Sequence, residues 1–221
     1  MSTSSGDPDM QVGRLLYRGA EADVSKGKWH GLDAVYKVRK PLKYRLPELD
    51  TSVRRQRTLH EAQMLHSAKD AGVMTPHLYD LNPSKWTLVM EFIDGHRLKD
   101  LADSRSSRVS PLFEDLGRAA AQLHSAGIMH GDLTTANLIN RGDDLVFLDF
   151  GLSFHSARTE DHAVDLRLIK ETITGAHPAV SEIAMQSLLR GYSHEAGEST
   201  SRKVMKQLAS IERRGRYARV V

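Results

Sequence analysis

Short apolar runs fill the stretch from Gly13 to Val38: Leu15-Leu16-Tyr17, Ala22-Asp23-Val24 and Ala34-Val35-Tyr36-Lys37-Val38, punctuated by Gly19, Gly27 and Gly31. Runs of that length between glycines predict a three-stranded meander. The pattern then changes. Ser52 to Lys69 is rich in helix formers and carries apolar residues at 53, 59, 62, 64 and 65, which predicts a partly amphipathic helix with Glu61 at its inner edge. Gly72 and Pro76 close that region, and His77 to Leu81 and Trp86 to Ile93 read as two strands joined by Asn82-Pro83-Ser84-Lys85. Ser110-Pro111 reads as N-cap and first turn of a helix over Leu112 to Ser125, ended by Gly127. Leu138-Ile139 and Leu145 to Leu148 predict short strands, and Glu160 to Ile173, Val180 to Tyr192 and Ser201 to Ile211 predict helices. The expectation is an α+β chain in two lobes, β-rich over 13–93 and helical over 94–211. A loose polar start, 1–12, precedes them and a basic tail, 212–221, follows.

Composition narrows the classes. A chain of 221 residues with 40% hydrophobic content can bury a real core, and no internal repeat is visible. No 18-residue apolar run and no basic-apolar start occurs, so neither a transmembrane span nor a secretory signal is expected. The expected location is the cytoplasm, with the nucleus added in a eukaryotic host. Zero cysteines exclude disulfides, thiolate metal sites and a cysteine nucleophile, and the eleven histidines lack paired ligand spacing. The net charge of +3 is unevenly spread: Lys37 to Arg57 holds eight Lys/Arg against Glu48 and Asp50, and Arg202 to Arg219 holds seven against Glu212. Such patches suit polyanions, whether nucleotide phosphates, RNA or acidic protein surfaces; each read alone could equally be a solvated helix face.

Candidate chemistry centres on His130-Gly131-Asp132-Leu133-Thr134-Thr135-Ala136-Asn137 and Asp149-Phe150-Gly151. Phosphoryl transfer needs a carboxylate near the attacking hydroxyl and hard oxygen ligands that hold Mg2+ on the phosphates. Asp132 stands at the base position, Asn137 follows five residues on as an amide ligand, and Asp149 supplies a charged ligand. Upstream, Lys37 ends an Ala-Val-Tyr-Lys strand whose ammonium would reach the phosphates of ATP, with Glu61 as its carboxylate partner. Arg18-Gly19-Ala20-Glu21-Ala22 occupies the place of the flap over the phosphates, with one glycine rather than three. Thr87 to Met90 runs into Glu91-Phe92-Ile93, where adenine would bond backbone groups of Glu91 and Ile93 behind Met90.

Together these residues resemble the small atypical protein kinase/ATPase subunit of the KEOPS (EKC) complex, the PRPK family related to RIO kinases. The resemblance runs from about Arg14 to Arg219. It is carried by Gly19-Ala20-Glu21-Ala22, Arg57-Thr58-Leu59-His60-Glu61-Ala62, the His130 and Asp149 motifs, Glu160-Asp161 with Val164-Asp165-Leu166, His177-Pro178 and Arg214-Gly215-Arg216. It implies a bilobal protein-kinase-like fold with a truncated C-lobe. It also implies a role in the complex that makes the threonylcarbamoyl-adenosine modification of tRNA. Expected partners are the threonylcarbamoyl-transferase subunit on the C-lobe and tail, a small regulatory subunit on the N-lobe, and tRNA. The tail residues Arg213, Arg214 and Arg216 would thread toward the transferase or add to a tRNA surface.

The departures from ordinary protein kinases are informative. Gly131 replaces the arginine that pairs with a phosphorylated activation loop, which argues against control by such phosphorylation. Some ten residues separate Gly151 from the helix near Glu160, leaving no room for a peptide-docking platform. Thr134 replaces the lysine that neutralises the transferring phosphate, which suggests slow transfer to hydroxyls or use of water. Weak protein phosphorylation and a partner-dependent ATPase activity are therefore expected. Two alternatives remain: a small-molecule phosphotransferase of the aminoglycoside-kinase type, and a non-catalytic kinase-fold scaffold.

Overall fold

A computed structural model describes residues 10–217, with side chains from 12 to 214. Two compact units divide the chain: one takes it up to Leu65 together with Pro76–Ile93, the other His66–Thr75 and everything from Asp94 onward.

The first unit is built on five antiparallel strands in the order β1-β2-β3-β5-β4: β1 (Met10–Arg18), β2 (Ala22–Trp29), β3 (Leu32–Arg39), β4 (Leu78–Asn82) and β5 (Thr87–Glu91). The expected meander is its first three strands. Pleating sends alternate residues of β3 to opposite faces. Ala34 and Tyr36 join Val89, Trp29 and Tyr79 on one, while Val35 lies with Ala62, Leu88 and Met90 on the other. That second face receives helix α1 (Pro47–Asp70), which starts five residues before the predicted segment. Glu48 and Asp50 sit in its first turn and Lys69 in its last, as the helix dipole favours. Gly72, at φ +87°, closes its C-terminal end while Val73 N–H donates to Ala68 O at 3.1 Å. Residues 1–9, most of the expected loose start, lie outside the described residues, and β1 already begins at Met10.

The second unit is helical around two small antiparallel sheets. Strands β6 (His96–Arg97), β8 (Leu138–Arg141) and β9 (Asp144–Phe147) form one; β7 (Ile128–Met129) and β10 (Phe154–His155) form the other. Helices α2 (Leu98–Asp103), α3 (Val109–Ser125), α4 (Thr159–Ala176), α5 (Ser181–Ala196) and α6 (Glu198–Tyr217) enclose them. Ser110 is not the cap of α3; the helix starts at Val109, and the Ser110 hydroxyl bonds Ser187 on α5 at 2.8 Å. Helices α3 and α5 touch backbone to backbone: a Cβ on Gly117 would strike the Leu188 carbonyl, and one on Gly191 the Glu114 carbonyl. The sequence suggests a tail unable to fold by itself after Ile211; instead α6 continues to Tyr217. Two ion pairs to α4 hold that extension, Lys170 with Glu212 at 2.6 Å and Arg214 with Glu160 at 3.1 Å. Beyond Tyr217 the tail lies outside the described residues, as does the Arg216 side chain.

Candidate active site

Within the first unit, Lys37 and Glu61 meet. β3 presents Lys37 on the face that α1 covers, and its Nζ donates to Glu61 Oε1 at 2.6 Å, with Glu61 only 1% exposed. A buried carboxylate needs compensation for lost hydration. A second cation supplies it: Arg39, two residues along the same strand face, donates to Glu61 Oε2.

The flap is anchored by its backbone and by its one acid. Gly19 N–H donates to Ala22 O at 2.9 Å, Lys40 N–H to Glu21 O at 2.8 Å and Lys40 Nζ to Gly19 O at 2.6 Å. Ala22 is buried, whereas Arg18 and Ala20 are exposed. The Glu21 side chain turns to a cluster of guanidiniums: Arg57 donates to it, Arg39 lies at 3.7 Å and Arg45 at 3.6 Å. At the end of β5, Glu91 N–H already donates to His77 O at 2.8 Å, so a nucleobase would have to use its carbonyl instead. Ile93 is buried. Met90 packs with Ala62 and Leu88, and Trp86 lies beneath the Arg54 guanidinium at 3.6 Å.

In the second unit the loop after β7 holds the His130–Asn137 motif. Asn137 Nδ2 donates to Asp132 Oδ2 at 2.9 Å and to Asp132 O at 3.0 Å, which directs the Asn137 amide oxygen away from Asp132. His130 is fully buried against Phe150, ring centroids 4.7 Å apart. Its Nε2 faces the Leu148 carbonyl at 3.1 Å, so that nitrogen carries the proton, and its Nδ1 accepts from Asp132 N–H at 3.3 Å. Both bonds demand the neutral ring, and burial pushes its pKa below the usual histidine value against the pull of Asp165 and its neighbours.

Asp165 on α4, set between Val164 and Leu166, braces this loop. It accepts from His130 N–H at 2.6 Å and Gly131 N–H at 2.8 Å, and faces His124 Nε2 at 3.4 Å. Burial works to raise this carboxyl; the His124 bond and the Gly131 amide outweigh it and hold the pKa below the usual range. Gly131 has φ +78°, and a Cβ there would meet the Leu152 carbonyl. The residue that departs from the common kinase pattern is thus one where no side chain fits. Asp149 is exposed at φ +56° and accepts Gly151 N–H at 3.2 Å, an Asx-type turn that aspartate tolerates.

Sequence reasoning missed Arg39, and it missed the buried pair His124–Tyr192, whose Nδ1 and hydroxyl lie 2.9 Å apart. The alternation of β3 places Arg39 beside Lys37 and could have exposed it; nothing local signals the second.

Fold and motifs define an atypical kinase fold of the RIO class, and the RIO domain family profile matches residues 38–170. The crystal structure of the Rio2 kinase-ADP/Mg2+-phosphoaspartate complex from Chaetomium thermophilum shares the fold at a TM-score of 0.63 and 16% identity, covering 94% of this chain and 72% of that one. Sequence relatives are nearer. KEOPS complex subunit Bud32 of Pyrococcus abyssi is 35% identical over 92% of this chain and 96% of its own length; EKC/KEOPS complex subunit bud32 of Dictyostelium discoideum is 33% identical over 93% and 84%. The chain belongs to this Bud32 family of KEOPS subunits. It also matches, at 39% identity, a probable bifunctional tRNA threonylcarbamoyladenosine biosynthesis protein of Methanobrevibacter smithii, spanning 36% of that polypeptide. No helix among the described residues is long and apolar enough to cross a membrane.

Proposed function

We propose that the chain is a Mg-ATP-dependent atypical serine/threonine kinase and ATP hydrolase that serves the threonylcarbamoyl-adenosine modification of tRNA as a KEOPS subunit. The observation that carries the chemical half is the Asp132–Asn137 hydrogen bond, which sorts the amide into a donor side spent on Asp132 and an oxygen side for a cation. The donor set fits Mg2+. Asn137 and Asp149 offer hard oxygens, and no cage of three His, Asp or Glu groups occurs among the described residues. Such a site, with ligands completed by phosphate oxygens and water, suits Mg2+ better than metals that need an all-protein shell. The ion would neutralise charge on the phosphates. Asp132 accepts the proton of an attacking hydroxyl or orients a water, Lys37 holds phosphate oxygens, and Glu61 keeps the Lys37 ammonium in place. The backbone of Glu91 and Ile93 reads the adenine edge. Relatives that contain a similar segment within a longer polypeptide named for threonylcarbamoyladenosine biosynthesis support work beside the tRNA-modifying transferase. In this reading the second unit and the basic end of α6 face that transferase and tRNA, the first unit meets a small regulatory subunit, and the location is cytoplasmic.

The test is phosphate release from Mg-ATP by the purified chain, alone and with the transferase subunit, for wild type, Asp132→Asn and Asp149→Asn. Release that rises with the partner and vanishes in both variants is expected. No release or phosphotransfer under any condition would leave the scaffold reading standing instead.

A further inference from the structure

We infer that Arg39 is a positioning residue of the phosphate-binding machinery: it neutralises the flap carboxylate Glu21 together with Arg45 and Arg57, and ties it to the same Glu61 that Lys37 holds. The inference rests on the nucleotide reading above. The flap of a kinase fold lies over the phosphates of its nucleotide, and a carboxylate there repels an anionic ligand unless its charge is met elsewhere. Here the side chain of Glu21 is drawn into three guanidiniums, Arg57 donating to it and Arg39 and Arg45 within 3.7 Å.

Arg39 is the hinge of this arrangement. It is 7% exposed, its Nη2 serves Glu61 Oε2 and the Arg57 carbonyl at 3.4 Å, and its Nη1 faces Glu21. Strand pairing sets Arg39 directly opposite Ala22, the residue after Glu21, so the flap cannot shift without disturbing it. The network extends to Asp50, which Arg54 meets at 2.7 Å and Arg45 at 3.8 Å. Across it Lys37, Arg39, Arg45, Arg54 and Arg57 face Glu21, Asp50 and Glu61. Glu61 thus meets two cations, Lys37 on Oε1 and Arg39 on Oε2. Glu21, which the sequence suggests as a nucleotide contact, acts instead through Arg39 and Arg57.

Binding of Mg-ATP and of adenosine, measured by titration calorimetry on the full chain, separates this role from simple packing. Arg39→Gln is expected to weaken Mg-ATP about tenfold, the scale of losing one close charge partner, and adenosine by less than about twofold. Adding Glu21→Gln to Arg39→Gln should recover most of the loss, because the repelling carboxylate is then gone. Arg57→Gln, at a side chain 36% exposed, should show a smaller loss with the same recovery, and keeps the test open if Arg39→Gln does not fold. Mg-ATP affinity unchanged in Arg57→Gln, equal weakening of adenosine and Mg-ATP, or a deeper loss on adding Glu21→Gln would each overturn the inference. A wild-type chain that binds neither ligand overturns the nucleotide reading itself, a distinct result.

Discussion

Replacing Gly131 by alanine tests why this loop reads His-Gly-Asp. At φ +78° a residue with a Cβ loses about 1–2 kcal/mol to left-handed backbone strain. The same Cβ would run into the carbonyl of Leu152, a backbone atom held by its own chain, and overpacking of that kind adds about 1–3 kcal/mol. The expected loss is therefore about 2–5 kcal/mol. Gly142→Ala is the internal control, because its φ is +63° but nothing among the described residues lies within 4 Å of the added Cβ. Only the backbone contribution, about 1–2 kcal/mol, should appear there. Urea unfolding of the three proteins, compared at equal m-values, gives the difference directly. If Gly131→Ala were no less stable than Gly142→Ala, the clash would be relieved cheaply, and the glycine would have to be explained by function rather than by space. A large loss would mean that arginine cannot return to this position without moving the segment that carries Leu152.

His162 stacks on His124 with ring centroids 4.6 Å apart, and both of its buried ring nitrogens lack a hydrogen-bond partner among the described residues; burial, then the His124 ring, push its pKa down to about 4. The unfolded chain therefore takes a proton near pH 6.5 that the folded one refuses until about pH 4, so stability falls as pH drops through that window. The full difference corresponds to about 3 kcal/mol, and to about half that once screening of the partly exposed ring is allowed for. His162→Phe, which keeps the stack, should flatten that part of the stability–pH curve; an unchanged slope would assign it to other groups. Gly191→Ala should cost about 1–3 kcal/mol by forcing α5 off α3, measured by thermal or urea unfolding, while the same change at Gly175, with nothing within 4 Å, should be neutral or stabilising.

The division between what was and was not legible in the sequence follows the range of the interactions. Asp132 and Asn137 lie five residues apart, so the motif spacing put both in one loop; the hydrogen bond between them was not foreseen. Lys37 and Glu61 are 24 apart; the Ala-Val-Tyr-Lys strand called for a carboxylate, and the partly amphipathic helix that follows offered Glu61. Asp165 stood out as an acid among apolar neighbours. Its supports did not: His124 and Tyr192 read as ordinary helix residues, and they become polar partners only where α3 and α5 close on each other. The same closeness explains Gly117 and Gly191, which local reading treats as helix-weakening and the fold uses as contact surface. The end of the chain misled for the opposite reason. Its density of arginines argues for a solvated end when read alone, but α4 supplies Glu160 to Arg214 and Lys170 to Glu212, and those two pairs let α6 run on. Charge that looks excessive along the sequence is balanced in space by an element some forty to fifty residues earlier, as it is around Glu21, where cations from β3, α1 and the segment between them gather on one acid. Arg39 went unnoticed because the basic stretch was read as one patch, although strand alternation puts Arg39 on the same face as Lys37; there it meets the second oxygen of Glu61, a carboxylate taken out of water that must be paired.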